Sequence, residues 1–282
     1  MTVDRRPALP APLYALGSIA SVQVGATVAR QLFPFLGPTA TVFVRVGFGA
    51  LILLAIARPS LRRLSAAQWR EVVPFGLIIA GMNLCFYQSI ARIPLGIAVT
   101  IEFLGPLAVA IVGSRKALDF AWAGMAAAGV AILSLTGGSV TLLGVLFALG
   151  AAVGWASYIV LGQRVGRLVA GPDGLALALT VGGLALAPFG IAGAGARLLD
   201  LHNLGLGLVV AILSSAIPFS LEFAALRRLS SQVFGILMSL EPAMGAAAGF
   251  FFLGQRLSIR DLLAIALVSV ASAGATLSAR HV

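Results

Sequence analysis

Two stretches of the chain decide the fold: FGLIIAGMNLCFYQSIARIPLGIAVTIEFLGP at 75–106 and AILSSAIPFSLEFAALRRLSSQVFGILMSLEP at 211–242. They align without a gap at an offset of 136 residues. The alignment matches Ala91-Arg92-Ile93 with Arg227-Arg228-Leu229, Tyr87 with Phe223, and Pro106 with Pro242. A match at a fixed offset indicates an internal repeat. The chain is therefore predicted to consist of two related halves, 1–138 and 139–282.

The composition around these stretches is that of a membrane protein. Of 282 residues, 60% are hydrophobic and only 10% are charged, whereas about a quarter of the residues in a soluble domain are charged. Because a spanning helix needs roughly 20 apolar residues, we predict an all-α integral membrane protein with ten transmembrane helices. The predicted spans are 12–30, 38–57, 71–91, 95–113, 120–136, 142–162, 174–193, 204–226, 231–253 and 261–279.

Each predicted half contains five spans. Since five is odd, the second half must cross the membrane in the opposite direction to the first. Such inverted repeats recur in secondary transporters, where the solute binds near the middle of the membrane between the repeats. The pattern thus predicts a transporter with a central site.

The charge distribution predicts the topology. The net charge is +10, but the basic residues lie mostly in short connections, which favours lipid headgroups over nucleic acid as their partners. With a cytoplasmic N-terminus, thirteen Lys and Arg residues fall inside and five outside. We therefore expect both termini to be cytoplasmic, although Arg256 and Arg260 fall on the outer side.

Several kinds of chemistry are disfavoured by what the sequence lacks. The single cysteine, Cys85, and the two histidines, His202 and His281, do not form a metal or redox site, so no cofactor is expected. The sequence carries no phosphate-binding Gly-x-x-x-x-Gly-Lys-Ser/Thr motif and no Gly-x-Ser-x-Gly or His-Glu-x-x-His motif. ATP-driven transport and enzyme activity are both disfavoured.

Four ionisable residues lie within predicted spans: Arg45, Glu102, Glu222 and Glu241. A charge at the bilayer centre costs about 2.5–3.5 kcal/mol, so such residues are functional candidates. Glu102 and Glu241 each precede a proline, Pro106 or Pro242, and proline loosens a helix by removing a backbone donor. We predict that both glutamates bind the solute and that these prolines mark hinges.

The same residues have other possible roles. A buried carboxylic acid can exchange protons, so Glu102, Glu241 and Glu222 are candidates for proton coupling. Glu222 lies one turn from Arg227 and Arg228, where an ordinary ion pair is the alternative. For Arg45 a structural role, neutralising a glutamate, is favoured over binding of a solute carboxylate.

Uncharged polar and aromatic side chains in the spans complete the predicted cavity. The candidate solute-binding residues of this kind are Gln23, Asn83, Tyr87, Trp155, Tyr158 and Ser239. Hydrogen bonding between helices is the alternative for each. The Gly-x-x-x-Gly pairs at 150–154 and 245–249 favour packing within the chain, and the choice between monomer and homodimer stays open.

These motifs together resemble the EamA branch of the drug/metabolite transporter superfamily. The resemblance rests on Arg45, on Ser239-Leu240-Glu241-Pro242 and on Phe252-Leu253-Gly254. Residues 91–110, 220–222 and 234–242 are similar to the bacterial threonine/homoserine exporters. The chain departs from the family at Gln255, where a glutamate is usual, and at Gln23, near a position where tryptophan is common.

The resemblance implies a multi-pass carrier of the bacterial inner membrane. It would export threonine, homoserine or related small metabolites by alternating access, in exchange for protons. One alternative is an uncoupled facilitator or an importer of another metabolite. A membrane sensor or accessory subunit is a further alternative, disfavoured because the spans leave no room for a soluble domain.

Overall fold

The protein is helical throughout the part of the chain that the computed structural model describes, residues 10–59, 64–112, 117–135, 140–169, 172–226, 228–229 and 231–278. The α-helices are α1 (Ala11–Ala57), α2 (Ala66–Ile90), α3 (Leu95–Glu102), α4 (Leu104–Ile111), α5 (Ala117–Leu135), α6 (Leu142–Leu168), α7 (Asp173–Ala194), α8 (Leu201–Ala211), α9 (Ile217–Leu226), α10 (Ser231–Met238), α11 (Glu241–Leu253) and α12 (Ile259–Ser278). A 3-10 helix, Gly195–Leu199, precedes α8, and a π-helical turn, Ile212–Ala216, joins α8 to α9.

Helix α1 is too long for one membrane crossing and bends at Gly37. Its 47 residues would extend about 70 Å, more than twice the hydrocarbon core of roughly 30 Å. Gly37 has φ 72° and ψ 163°, a conformation that is essentially restricted to glycine. The arms before and after this glycine correspond to the first two predicted spans.

Two other predicted spans are each built from two short helices. Helix α3 ends at Glu102 and is separated from α4 by one residue, and α11 begins at Glu241 after a two-residue break from α10. Pro106 and Pro242 lie in the first turns of α4 and α11, where a missing backbone N–H is tolerated. Both helix breaks therefore lie directly beside a glutamate.

Within the described ranges, seven helical stretches are long and apolar enough to cross a membrane, with α1 counted once. Two shorter apolar helices, Leu95–Val109 and Ala117–Leu133, coincide with the fourth and fifth predicted spans. The prediction of an all-α, multi-pass membrane protein is confirmed at this level.

Several features of the predicted topology lie outside the described residues. They are the boundary between 138 and 139, both chain termini, and Arg5, Arg6, Arg62, Arg63, Arg115, Lys116, Arg227, Arg280 and His281.

Helices from the two predicted halves pack against each other. Helix α2 contacts α6, α3 contacts α11, α5 contacts α12, and α1 contacts α7, α8 and α9. The α3–α11 contact is very close, since a Cβ atom on Gly96 would lie 2.6 Å from Cα of Ala246. All residues of α3 are buried.

The two Gly-x-x-x-Gly pairs serve contacts within the chain. Gly150 and Gly154 face Cys85 and Met82 of α2. Gly245 faces Val99 of α3. Small residues let helix backbones approach closely, and here they do so inside one molecule.

A methyl group at Gly96 is expected to destabilise the protein. Gly96→Ala forces α3 away from α11, and overpacking of this kind costs about 1–3 kcal/mol. The measurement is thermal unfolding of the purified protein in detergent, where Gly96→Ala should unfold at a lower temperature. Gly124→Ala in α5 is the matched control, because nothing lies within 4 Å of its added methyl group. Equal unfolding temperatures for both variants would contradict the close contact.

Candidate solute-binding site

A cavity of about 380 Å³ lies between the helices of the two predicted halves. We call it the central cavity. It is lined by residues of α1, α2, α6, α7, the π-helical turn and α9, and by the broken ends of α3, α4, α10 and α11. Its volume is in the range of about 300–1,000 Å³ typical of small-molecule sites. The four ionisable residues predicted within spans all reach it: Arg45, Glu102, Glu222 and Glu241.

Most of the cavity wall is apolar or aromatic. Phe103 and Trp155 meet edge to face with ring centroids 5.5 Å apart. Tyr158 lines the cavity and stacks on Phe75 at 5.2 Å. Apolar walls with a few polar groups suit a small amphiphilic solute.

Pro218 leaves two backbone carbonyls of the preceding turn without their usual donor. In a π-helix the carbonyl of residue i bonds to the N–H of residue i+5, and in an α-helix to that of i+4. Because Pro218 has no N–H, the carbonyls of Leu213 and Ser214 need other donors. Ser21 Oγ donates to Leu213 O at 2.7 Å, and Arg45 Nη2 donates to Ser214 O at 3.4 Å.

The Arg45 guanidinium has a second support on α2. Its Nη1 donates to the Tyr87 hydroxyl oxygen at 3.3 Å, and its central carbon lies 5.4 Å from the centroid of the Tyr87 ring. Among the described residues, these hydrogen bonds of Arg45 run to Tyr87 and Ser214 and not to a carboxylate. Glu102 lies close enough for its charge to interact with that of Arg45.

Glu241 is paired with Gln23 from α1. Gln23 Nε2 donates to Glu241 Oε1 at 3.4 Å. Gln23 Oε1 and Glu241 Oε2 have no hydrogen-bond partner among the described residues. Glu241 also lies within electrostatic range of Glu102 and Glu222.

Glu222 accepts a hydrogen bond from Ser18 Oγ at 2.7 Å. Arg228, a predicted alternative partner of Glu222, lies over the Tyr14 ring at 4.7 Å, and Arg227 lies outside the described residues. In the described part of the chain, no group of three or more His, Cys, Asp or Glu is arranged to hold a metal ion.

The structure brings most, but not all, of the predicted solute-binding residues to the central cavity. Those that line it are Gln23, Asn83, Glu102, Trp155, Tyr158 and Glu241, together with the predicted hinge Pro106. Tyr87 is fully buried behind Arg45. Ser239 donates to Ile236 O at 2.6 Å in its own broken span, and Pro242 is buried in α11.

Sequence reasoning missed the contributions of Ser18, Pro218 and Phe103. The signal for Pro218 is present, since Ser-Ser-Ala-Ile-Pro within an apolar span indicates a loosened helix. Gln255, at the position where the resemblance leads us to expect a glutamate, also has a structural role. Its Oε1 accepts a hydrogen bond from Leu95 N at 3.0 Å and so caps the first turn of α3.

Comparison with known proteins is consistent with this geometry. Residues 142–277 match the EamA-like transporter family. The threonine/homoserine exporter RhtA of Escherichia coli (strain K12) is 43% identical, over 94% of this chain and 90% of that protein. RhtA of Salmonella typhimurium (strain LT2) is 42% identical, over 95% and 92%.

Two further similarities are weaker. The uncharacterized transporter YvbV of Bacillus subtilis (strain 168) is 28% identical, over 51% of this chain and 50% of its own. One crystal structure matches with a TM-score of 0.60 over 96% of this chain and 97% of its own, at 21% identity. That likeness shows a shared fold alone.

The cavity predicts which introduced cysteine will react with a small neutral thiol reagent. Met238 lines the cavity and is half-buried, so Met238→Cys in a Cys85→Ala background is expected to be labelled. Ser272→Cys is the control, because Ser272 is buried in α12 away from the cavity. Mass spectrometry of the labelled protein reports both rates. Faster labelling at position 272 than at 238 would contradict the described cavity.

Proposed function

Because the chain belongs to the EamA-like transporter family, we propose that it exports threonine, homoserine and related small amino acids across the bacterial inner membrane. Its relatives are transporters and not enzymes. The observation that carries the proposal is the central cavity, in which one guanidinium and three carboxylates face a mostly apolar wall. An amino acid carries the complementary charges, a carboxylate and an ammonium group.

The proposed transporter has ten spans in two inverted repeats, with both termini in the cytoplasm. Seven apolar stretches are present. The second arm of α1 and the two shorter apolar helices bring the number to ten. The contacts of α3 with α11 and of α5 with α12 support a twofold arrangement, because each joins equivalent spans of the two proposed repeats.

The sequence favours a structural role for Arg45, but among the described residues its hydrogen bonds run to Tyr87 and Ser214 O and not to a glutamate. Arg45 is therefore the proposed binding residue for the solute carboxylate. Tyr87 and Ser214 O hold the guanidinium in place. A guanidinium has five N–H donors in a fixed fork, so donors remain for a carboxylate. Arginine–carboxylate pairs are frequently bidentate and charge-assisted.

In the proposed mechanism, coupling arises because a proton and the solute's ammonium group compete for the same glutamate carboxylates. A carboxylate holds either a proton or an ammonium group, so an amino acid leaving the cavity allows a proton to take its place. Glu102, Glu222 and Glu241 are the proposed exchanging groups. Alternating access would then use the helix breaks beside Glu102 and Glu241, with Pro106 and Pro242 at the hinges and α3 separating from α11.

Proton coupling can be tested with Glu102→Gln. Proteoliposomes loaded with labelled threonine should release it faster when an imposed pH gradient drives protons inward. Glu102→Gln is expected to lose this acceleration but to keep threonine exchange at equal pH, since the amide cannot carry a proton. The matched control is Glu71→Gln, which lies outside the cavity.

Other outcomes separate the alternatives. Full acceleration by the gradient in Glu102→Gln would overturn the assignment of Glu102. Wild-type efflux that is unchanged after collapse of the gradient would instead indicate an uncoupled facilitator. No movement of any amino acid would support a sensor or accessory subunit.

The assignment of Arg45 has its own test. Loss of a charge-assisted hydrogen bond costs about 1.5–3 kcal/mol, so Arg45→Gln should weaken threonine binding about tenfold to hundredfold. Calorimetry on the purified protein measures this affinity. Binding of the corresponding amino alcohol, which lacks the carboxylate, should change little. An equal loss for both ligands would indicate a structural role for Arg45.

A further inference from the structure

We propose that Gln23 and Glu241 form the subsite for the ammonium group of the transported amino acid. The proposal rests on the proposed function, because it assigns one end of that solute to one pair of residues. The two side chains come from different proposed repeats, Gln23 from α1 and Glu241 from the first turn of α11.

The pair presents oxygen acceptors that lack donors. Gln23 is 2% exposed and Glu241 is 7% exposed. One hydrogen bond, from Gln23 Nε2 to Glu241 Oε1, joins them. Gln23 Oε1 and Glu241 Oε2 have no partner among the described residues. Buried polar atoms are nearly always hydrogen-bonded. Both side chains line the central cavity, so a donor group of the solute that inserts between them would satisfy the two oxygens.

An ammonium group matches this pair better than other solute groups. It has three N–H donors, no acceptor and a positive charge, so it can bond to both free oxygens. A carboxylate has only acceptors and would be repelled. A hydroxyl group could donate to only one of the two oxygens.

The position of Glu241 at a helix end supports a negative charge there. Partial positive charge at the N-terminus of a helix stabilises an anion in its first turn. Glu102, by contrast, is the last residue of α3, where the partial charge of the helix end is negative. Glu241 is therefore the better-placed carboxylate for pairing with a cationic group.

Gly245 provides the space that this arrangement needs. It lies one turn after Glu241 on α11, and a Cβ atom there would lie 3.2 Å from Gln23 Oε1. A side chain at this position would press on the amide oxygen. The glycine thus lets α1 bring Gln23 beside Glu241.

The test uses three ligands that differ in their charged groups. They are threonine, its amino alcohol without the carboxylate, and 2,3-dihydroxybutyrate, which has a hydroxyl in place of the ammonium group. Binding to the purified full chain is measured by calorimetry. Glu241→Gln and Gln23→Leu should each weaken binding of threonine and of the amino alcohol about tenfold to hundredfold. They should weaken binding of the dihydroxy acid much less, because its neutral hydroxyl can donate to only one of the two oxygens.

The controls distinguish a failure of the ammonium subsite from a failure of the proposed transport of amino acids. Glu71→Gln should bind all three ligands like the wild type. If the wild type binds no amino acid, the proposed function fails. If it binds threonine but neither variant weakens binding, or if both variants weaken the dihydroxy acid equally, the subsite is overturned.

A fallback variant and a salt titration cover the two cases that remain, an unfolded Glu241→Gln and a site for an inorganic cation. If Glu241→Gln does not fold, Gln23→Leu carries the test, since it removes an acceptor without changing charge. Sodium chloride titrated against the bound amino alcohol, with choline chloride as control, tests for an inorganic cation site. Specific displacement by sodium would overturn the assignment to ammonium, and equal effects of the two salts would support it.

Discussion

In hydrocarbon no water is available to bond with the backbone, so each N–H and C=O must find a partner inside the protein. This constraint makes the described chain helical, and it also determines where helices can be interrupted. The breaks in α3–α4 and α10–α11 and the π-helical turn all border the central cavity. At Pro218 the unpaired carbonyls bind Ser21 and Arg45. The irregular backbone and the proposed binding site coincide because only a protein-lined cavity tolerates both.

The charges of the cavity follow from the same shortage of water. Three carboxylates and one guanidinium in a mostly apolar space cannot all be charged without partners. A zwitterion adds no net charge but supplies one partner of each sign. In the proposed binding mode, its carboxylate approaches the guanidinium that Tyr87 supports, and its ammonium group approaches Gln23 and Glu241. In the proposed function, the empty and loaded cavities would therefore differ in how many protons they bind, and this difference would couple solute movement to proton movement.

Much of this could be predicted from the sequence because burial of charge is costly. Arg45 and the three glutamates were singled out for that reason, and all four reach one cavity. Helical spacing places Asn83 and Tyr87 on one face but does not give depth, so the position of Tyr87 behind Arg45 could not be predicted. The Ser18–Glu222 bond and the cap that Gln255 provides to α3 join residues far apart in sequence. Such partners depend on tertiary packing, which a single sequence does not reveal.

The bend at Gly37 has a mechanical consequence. One residue joins the two arms of α1, so no loop absorbs a change in their relative tilt. The first arm packs near the π-helical turn through Gly25, and the second packs near α7 through Gly190. A change in the angle between the two arms would therefore have to be accommodated by the backbone dihedral angles of Gly37. The range of angles between the two arms is thus set by the backbone conformations that one glycine can adopt.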